Sequence, residues 1–342
     1  MFIFVPVKNK INLHSVYSIA ELQNIINTAI KSRSEDLKKM TPANLYLPVD
    51  YSLELGGKRL RPILLLLSYN MFSDWVENAI PAAIAIEVFH NFTLLHDDIM
   101  DKADVRRNRP TVHKQFSENS AILSGDVMAF LSYQYLLECK SESLPMVLSL
   151  FTKTAIEVCE GQQFDMEFEN RLNVDETEYL EMIRLKTAVL LACGLKAGAL
   201  LANAGTKLAD QLYDFGINLG LAFQLQDDLL DSFGNQQYFG KKIGGDILAN
   251  KKTFLSITAL ENARGEVKTE LIGWLNKKEF DSSEKIKEVL NIYNQLNIKE
   301  LTEQKIETYF QKCRTVFHEI SIEESRKKHL QEISTNMLNR VY

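Results

Sequence analysis

The chain has 342 residues, 46% of them hydrophobic, and a formal net charge of −6, so it can bury a large core and is a poor candidate for binding nucleic acid. Its four cysteines, Cys139, Cys159, Cys193 and Cys313, are far apart and form no CxxC or Cys/His metal spacing, which argues against a disulfide scaffold and fits a reduced, cytoplasmic protein. No run of about 18 uninterrupted apolar residues exists, so no membrane span is expected.

Taken in chain order, the first segment, MFIFVPVKNKINLHS, has a short apolar run broken by Pro6 and no basic n-region. It reads as an N-terminal extension (1–17) rather than a signal peptide. All seven prolines lie at or before Pro145, which leaves a long stretch suited to helices. Ala79 to Asp101 is apolar almost all round and predicts a central buried helix. The segments 121–140, 146–169, 179–202 and 208–233 predict long amphipathic or buried helices. The joints LELGGKRLRP, KADVRRNRPTVH and NQQYFGKKIGGDILANKK separate them. No strand pattern, linker or short repeat is evident. One all-α domain over 1–342 is the simplest organisation, with the more polar segment from about Gly265 outside the core.

Two segments break the apolar pattern. LLHDDIMD carries Asp97, Asp98 and Asp101, and LQDDLLD carries Asp227, Asp228 and Asp231. Residues four apart share a helix face, so Asp97 pairs with Asp101 and Asp227 with Asp231, while Asp98 and Asp228 are rotated by about 100°. Stacked carboxylates repel and call for a cation. Oxygen-only ligands point to Mg²⁺, which prefers a few carboxylates completed by waters and phosphates. Two facing clusters would hold several Mg²⁺ ions with a polyphosphate between them. Lys58, Arg59 and Arg61 in GGKRLRP and Arg106, Arg107 and Arg109 in VRRNRP supply the opposite charge. They fit two phosphorylated groups, one held through metal and one directly. His90, two turns before Asp97, lies on nearly the same face.

GGKRLRP, HDDIMD with RRNRPTVH, GQQFD, LKT, and FQLQDDLLD with FGKKIGGDILANKKT, in that order over about residues 40 to 260, resemble the trans-polyprenyl diphosphate synthases of farnesyl and geranylgeranyl type. The resemblance implies an all-α bundle around a deep central cavity, a homodimer, and head-to-tail condensation of isopentenyl diphosphate onto an allylic diphosphate. It implies Mg²⁺ at Asp97, Asp98, Asp101, Asp227, Asp228 and Asp231, about three ions in a substrate-loaded site. Asp97, Asp101 and Asp227 would be the main ligands. Arg106, Lys186 and Lys251 would hold the allylic diphosphate, and Gly57, Lys58, Arg61, His90 and Arg107 the isopentenyl diphosphate. Thr187 and Gln224 would line the reacting centre and Lys241 the loop that closes over it. One departure is Asn108 where the family usually has glycine. Asn tolerates a left-handed turn, so the turn should survive.

The chemistry agrees. An allylic diphosphate ionises when its leaving group is neutralised, and the cation then needs a dry, apolar pocket. Phe92, five residues before Asp97, lies roughly 7.5 Å along the helix from it and is the candidate floor of that pocket, with Phe89 behind. A bulky Phe92, a small Thr93 and no insertion in the first repeat resemble synthases making C15 or C20 products. A class I terpene cyclase shares the fold but typically has a different second motif and no isopentenyl diphosphate pocket. A non-catalytic subunit would be expected to lose aspartates or the Arg106–Arg107 pair.

Overall fold

The computed structural model describes residues 16–171, 173–234 and 243–338. Helices form where the apolar spacing is helical: α1 (Ile19–Leu37), α2 (Ala43–Glu54), α3 (Leu60–Asn70), α4 (Ile80–Met100), the single turn α5 (Val112–Gln115), α6 (Glu118–Leu136), α7 (Leu144–Glu169), α8 (Glu176–Ile183), α9 (Val189–Leu201) and α10 (Thr206–Phe233). Then come the short α11 (Gly245–Leu248), α12 (Phe254–Asn262), α13 (Gly265–Asn276), α14 (Ser282–Gln295), α15 (Ile298–Glu319) and α16 (Glu324–Leu338). Pro81 and Pro145 stand in the first turns of α4 and α7, where a missing N–H breaks no helical hydrogen bond. Capping boxes start α1 (Ser18 with Glu21), α8 (Asp175 with Glu178) and α12 (Thr253 with Ser256), each cap contributing about 1 kcal/mol.

Helix α4 runs between α3 and α6, and α10 between α9 and α15. These helices carry the two aspartate segments, so both sites are mounted on the best-packed part of the molecule. Val76–Met100 is long and apolar enough, by length and composition alone, to cross a membrane. Its middle, Ala82–Phe89, is instead buried against neighbouring helices, and burying each large apolar side chain there stabilises by about 1.5–3 kcal/mol.

Three features depart from the sequence reading. The C-terminal helices are part of the core: Val289, Ile292, Cys313, Phe317, Leu330 and Ile333 belong to the same buried cluster as α4 and α10. Their polarity is concentrated on the outer faces of amphipathic helices, which average composition does not reveal. The predicted helix 179–202 is interrupted at Arg184–Ala188 by a π-turn, in which the Val189 N–H bonds to the Arg184 carbonyl. A two-residue hairpin pairs Val105–Arg106 with Arg109–Pro110. At its tip Arg107 (φ 54°) and Asn108 (φ 61°) are both left-handed, as a tight hairpin turn requires. The turn expected at Asn108 is therefore present. All four cysteines are free, three of them buried.

Candidate active site

The first repeat closes α4, and its three carboxylates meet different surroundings. Asp97 is held by cations: Lys186 Nζ donates to its Oδ1 at 3.2 Å, and Arg106 Nη2 lies 3.5 Å from its Oδ2. Asp98 is turned inward and is 3% exposed. Arg106 Nε bonds both of its oxygens at 2.8 Å. Burial raises the Asp98 pKa even so, with Arg106 opposing. Asp101 sits exposed at the helix end. The hairpin explains why Arg106 arrives here: it folds the chain back directly after α4.

The second repeat lies near the end of α10. Asp228 is buried, and its partners carry no charge: the Tyr179 hydroxyl donates to Oδ2 and Gln224 Nε2 donates to Oδ1 at 3.0 Å. Burial, then Asp246, pushes the Asp228 carboxyl up to about 8. Thr187 Oγ1 donates to Gln224 Oε1 at 3.1 Å, which ties the π-turn to α10. Asp231 Oδ2 accepts the Asp246 backbone N–H at 2.8 Å, and its carbonyl accepts the Gly244 N–H at 2.6 Å. The loop carrying Lys251 is thereby fastened to α10.

Lys186 stands between the repeats. Its amine also donates to Asp165 at 2.6 Å. Burial works against its charge, but Asp97 and Asp165 outweigh that and raise its pKa. Lys251 behaves alike: burial is outweighed by Asp246, Asp165, Asp101 and Asp97. The π-turn that presents Lys186 fits against α7 because residue 161 is glycine. A Cβ there would lie 2.3 Å from the Lys186 backbone nitrogen.

A second cationic group is formed by Gly57, Lys58, Arg61, His90 and Arg107. Arg61 Nη1 contacts His90 Nε2 at 2.9 Å. The arginine must donate, so His90 carries its proton on Nδ1. Burial, then Arg61 and Arg107, lowers the His90 pKa well below its usual value. Burial also pulls Arg61 down to about 10, against Glu87 and Asp227. Arg107 donates to the Gly56 carbonyl and lies over Gly57, where a Cβ would come within 2.9 Å of the guanidinium. Behind this group Arg59 Nη1 donates to buried Glu87 at 2.6 Å, and Nη2 donates to the Leu53 carbonyl at 2.7 Å.

Many of these residues line a cavity of about 740 Å³, within the usual range for ligand pockets. Lys58, Arg61, His90, Asp97, Arg106, Arg107, Lys186, Thr187, Gln224 and Asp227 line it together with Phe92, Leu94, Val158, Met166, Leu190 and Phe223. An adjoining cavity of about 240 Å³ shares Asp97, Lys186, Thr187, Gln224 and Asp227, and adds Asp165, Asp228, Asp231, Asp246 and Lys251. Phe92 stacks edge-on with Phe89 at 5.3 Å and His96 at 4.9 Å. Among the described residues no three acidic, histidine or cysteine side chains converge on a single point. The donor set still fits Mg²⁺, whose octahedral shell is commonly finished by water and substrate phosphate rather than by a protein cage.

A sequence profile of the polyprenyl synthetases matches residues 42–293. The chain belongs to that family. It is 38% identical over 257 residues to a geranylgeranyl diphosphate synthase of Methanosarcina mazei, covering 75% of this chain and 78% of the relative. It is 40% identical over 269 residues to a geranylgeranyl diphosphate synthase of Sulfolobus acidocaldarius, covering 77% and 80%. A crystal structure of a geranylgeranyl pyrophosphate synthase superposes with a TM-score of 0.90 at 43% identity, over 95% of this chain and 100% of that one.

Of the residues read from the sequence, Lys241 lies outside the described ones. All the others line the two joined cavities except Asp98, Asp101 and Arg109, the last of which lies over the Tyr51 ring at 4.6 Å. Asp98 is engaged by Arg106 and faces away, while Asp101 is at the rim. The sequence reading passed over Asp165, Tyr179, Glu87 and Asp246. Asp165 closes GQQFD and was within reach, whereas Tyr179 has no spacing that ties it to Asp228.

Proposed function

We propose that the protein is a short-chain trans-prenyl diphosphate synthase, joining isopentenyl diphosphate head-to-tail to an allylic diphosphate and releasing diphosphate. The observation that carries this reading is a pair of joined cavities lined by two cationic groups, by carboxylates of both repeats and by apolar side chains. Arg61, His90, Lys58, Gly57 and Arg107 would hold the isopentenyl diphosphate. Lys186, Lys251 and Arg106 would hold the allylic diphosphate beside the aspartates.

Asp97, Asp101, Asp227 and Asp231 would hold the Mg²⁺ ions, about three with substrate bound, and Asp98 and Asp228 would orient the segments that carry them. Bound Mg²⁺ supplies Lewis-acid neutralisation of the leaving diphosphate. Lys186 and Lys251 add charge on the same group, in a site where water no longer screens it. Leu94, Val158, Leu190 and Phe223 keep water from the allylic cation. Gln224 and Thr187, fixed on each other, orient the reacting carbons. The isopentenyl double bond attacks the cation, and the departing diphosphate removes the proton, so no side-chain base is required.

Phe92 would close the tunnel and limit products to C15 or C20. A homodimer is supported by exposed Leu123, Phe130 and Leu137, spaced by seven along α6 and its end, with Ile156 on α7 also exposed. Phe130 is 73% exposed, a costly surface to leave in water. Sedimentation at micromolar concentration tests this, and a monomer would reject it. Free thiols at all four cysteines support a reducing, cytoplasmic setting.

The deciding experiment is product analysis after incubation with radiolabelled isopentenyl diphosphate, Mg²⁺ and each allylic primer from C5 to C15. Label should enter C15 or C20 products. Turnover of an allylic diphosphate without consumption of isopentenyl diphosphate would indicate a cyclase instead.

A further inference from the structure

Lys285, on α14, has no solvent-exposed surface, and among the described residues no carboxylate lies within salt-bridge distance of its amine. A buried ammonium without a counter-charge is expensive, so its surroundings need a reason. Its Nζ donates to Asn250 Oδ1 at 2.8 Å and lies 4.2 Å from the centre of the Phe280 ring, a favourable place for a cation.

Asn250 immediately precedes Lys251 and is left-handed, with φ at 52°. Every polar group of Asn250 is engaged. Its Nδ2 donates to the Leu275 carbonyl at 3.1 Å, its carbonyl accepts from Lys252 Nζ at 3.1 Å, and its N–H donates to the Ile247 carbonyl at 3.2 Å. The side chain is thus held from α13 and α14 while the backbone turns sharply into the site. One residue later, the Lys251 N–H bonds to the Asp246 carbonyl at 3.0 Å, and Lys251 joins Asp165, Asp231 and Asp246 around the cavity.

We propose that Lys285 is a positioning residue for Lys251, clamping Asn250 in its left-handed turn so that the Lys251 amine meets the allylic diphosphate. The role rests on the assignment of Lys251 to that diphosphate. It makes α14, which carries none of the recognised motifs, part of the substrate site. If Lys285 served only to hold α13 and α14 together, its removal would lower stability and leave both Michaelis constants unchanged.

The test compares Lys285→Met, Lys251→Ala and the double variant. Lys285→Met keeps the length of the side chain and removes the donor. It should raise KM for the allylic diphosphate about tenfold, the loss of one charge-assisted hydrogen bond, and leave KM for isopentenyl diphosphate unchanged. It should also speed hydrogen exchange at the Lys251 amide. Adding Lys285→Met to Lys251→Ala should raise KM no further. A folded Lys285→Met protein with normal allylic KM and unchanged exchange would overturn the proposal. If Lys251→Ala itself left the allylic KM unchanged, the diphosphate assignment would fail, and exchange at Lys251 would alone decide whether Lys285 positions the turn. Should Lys285→Met not fold, Asn250→Gly removes the acceptor in a residue that accepts the left-handed turn, and it should give the same split between the two Michaelis constants. Equal effects on both substrates would count against the clamp.

Discussion

The two aspartate repeats have the same spacing and are neutralised in different ways. In the first, the inward carboxylate of Asp98 is met by the guanidinium of Arg106, and Asp97 touches both Arg106 and Lys186. In the second, the inward carboxylate of Asp228 is met by a phenol and an amide, and a fourth carboxylate, Asp246, stands nearby and raises its pKa. A repeated motif thus specifies where the oxygens lie without specifying what balances them. The first repeat brings its own positive charge. The inward carboxylate of the second is held by neutral donors instead.

The largest expected effect tests what the repeats share. Asp97→Ala and Asp227→Ala should each lower turnover by about 10³-fold or more, since both oxygens act mainly where charge develops in the transition state. Circular dichroism should show the fold retained, and near-normal turnover in either folded variant would reject the assignment. Phe92→Ala separates ionisation from chain length. Both repeats keep their neighbours, so activity should persist while the product grows by at least one C5 unit on chromatography. An unchanged product would place the floor elsewhere.

Arg61→Ala asks whether the other cationic group is independent of both repeats. The loss of a buried, charge-assisted contact should raise KM for isopentenyl diphosphate by about 10- to 100-fold, with a much smaller change for the allylic substrate. The contrast itself is addressed by Asp98→Asn and Asp228→Asn in metal-free protein at pH 7. Asp98→Asn leaves Arg106 partly uncompensated and should cost about 2 kcal/mol in urea unfolding. Asp228→Asn retains an acceptor for Tyr179 in a site that already disfavours charge, and should cost less than about 1 kcal/mol. Equal costs would remove the distinction between charged and neutral support.

An effect visible only as pH falls concerns His90, outside both repeats. Its folded pKa is depressed by burial and by Arg61, so below about pH 6.5 the unfolded chain takes up a proton that the folded chain refuses. The His90 contribution is complete above that pH and is lost as pH falls below it. Thermal unfolding from pH 7.5 to 5 should show His90→Gln with a shallower decline, by up to about 1.4 kcal/mol per pH unit.

Much of this arrangement is legible in the sequence, for reasons that can be named. Long helices are readable because apolar spacing and the lack of proline after Pro145 act locally. The aspartates are readable because their charge contradicts that spacing, and so is the rotation of Asp98 by about 100° from Asp97, although not that it turns inward, away from the metal role the resemblance implied. Arg106 as its partner does not follow, because the partner arrives through a hairpin of two-residue strands too short to show alternation. The π-turn at Arg184–Ala188 was not legible either. It contains no glycine or proline, and what permits it is Gly161 on another helix. Tyr179 was missed for the same reason: its partner Asp228 is 49 residues away and no local pattern joins them.

That π-turn has a consequence for how the chain can change. A π-turn is an α-helix holding one residue more than regular winding needs. Deleting a single residue between Arg184 and Ala188 would let α8 and α9 merge into one uninterrupted helix, a locally more regular one. The helices on either side would keep nearly their present phase, because the turn already absorbs the extra residue, but the bulge that presents Lys186 and Thr187 to the cavity would be lost. Substitutions in this segment can be graded and partial, but a one-codon deletion cannot. Its cost would fall on catalysis, in a protein whose helical content had slightly increased.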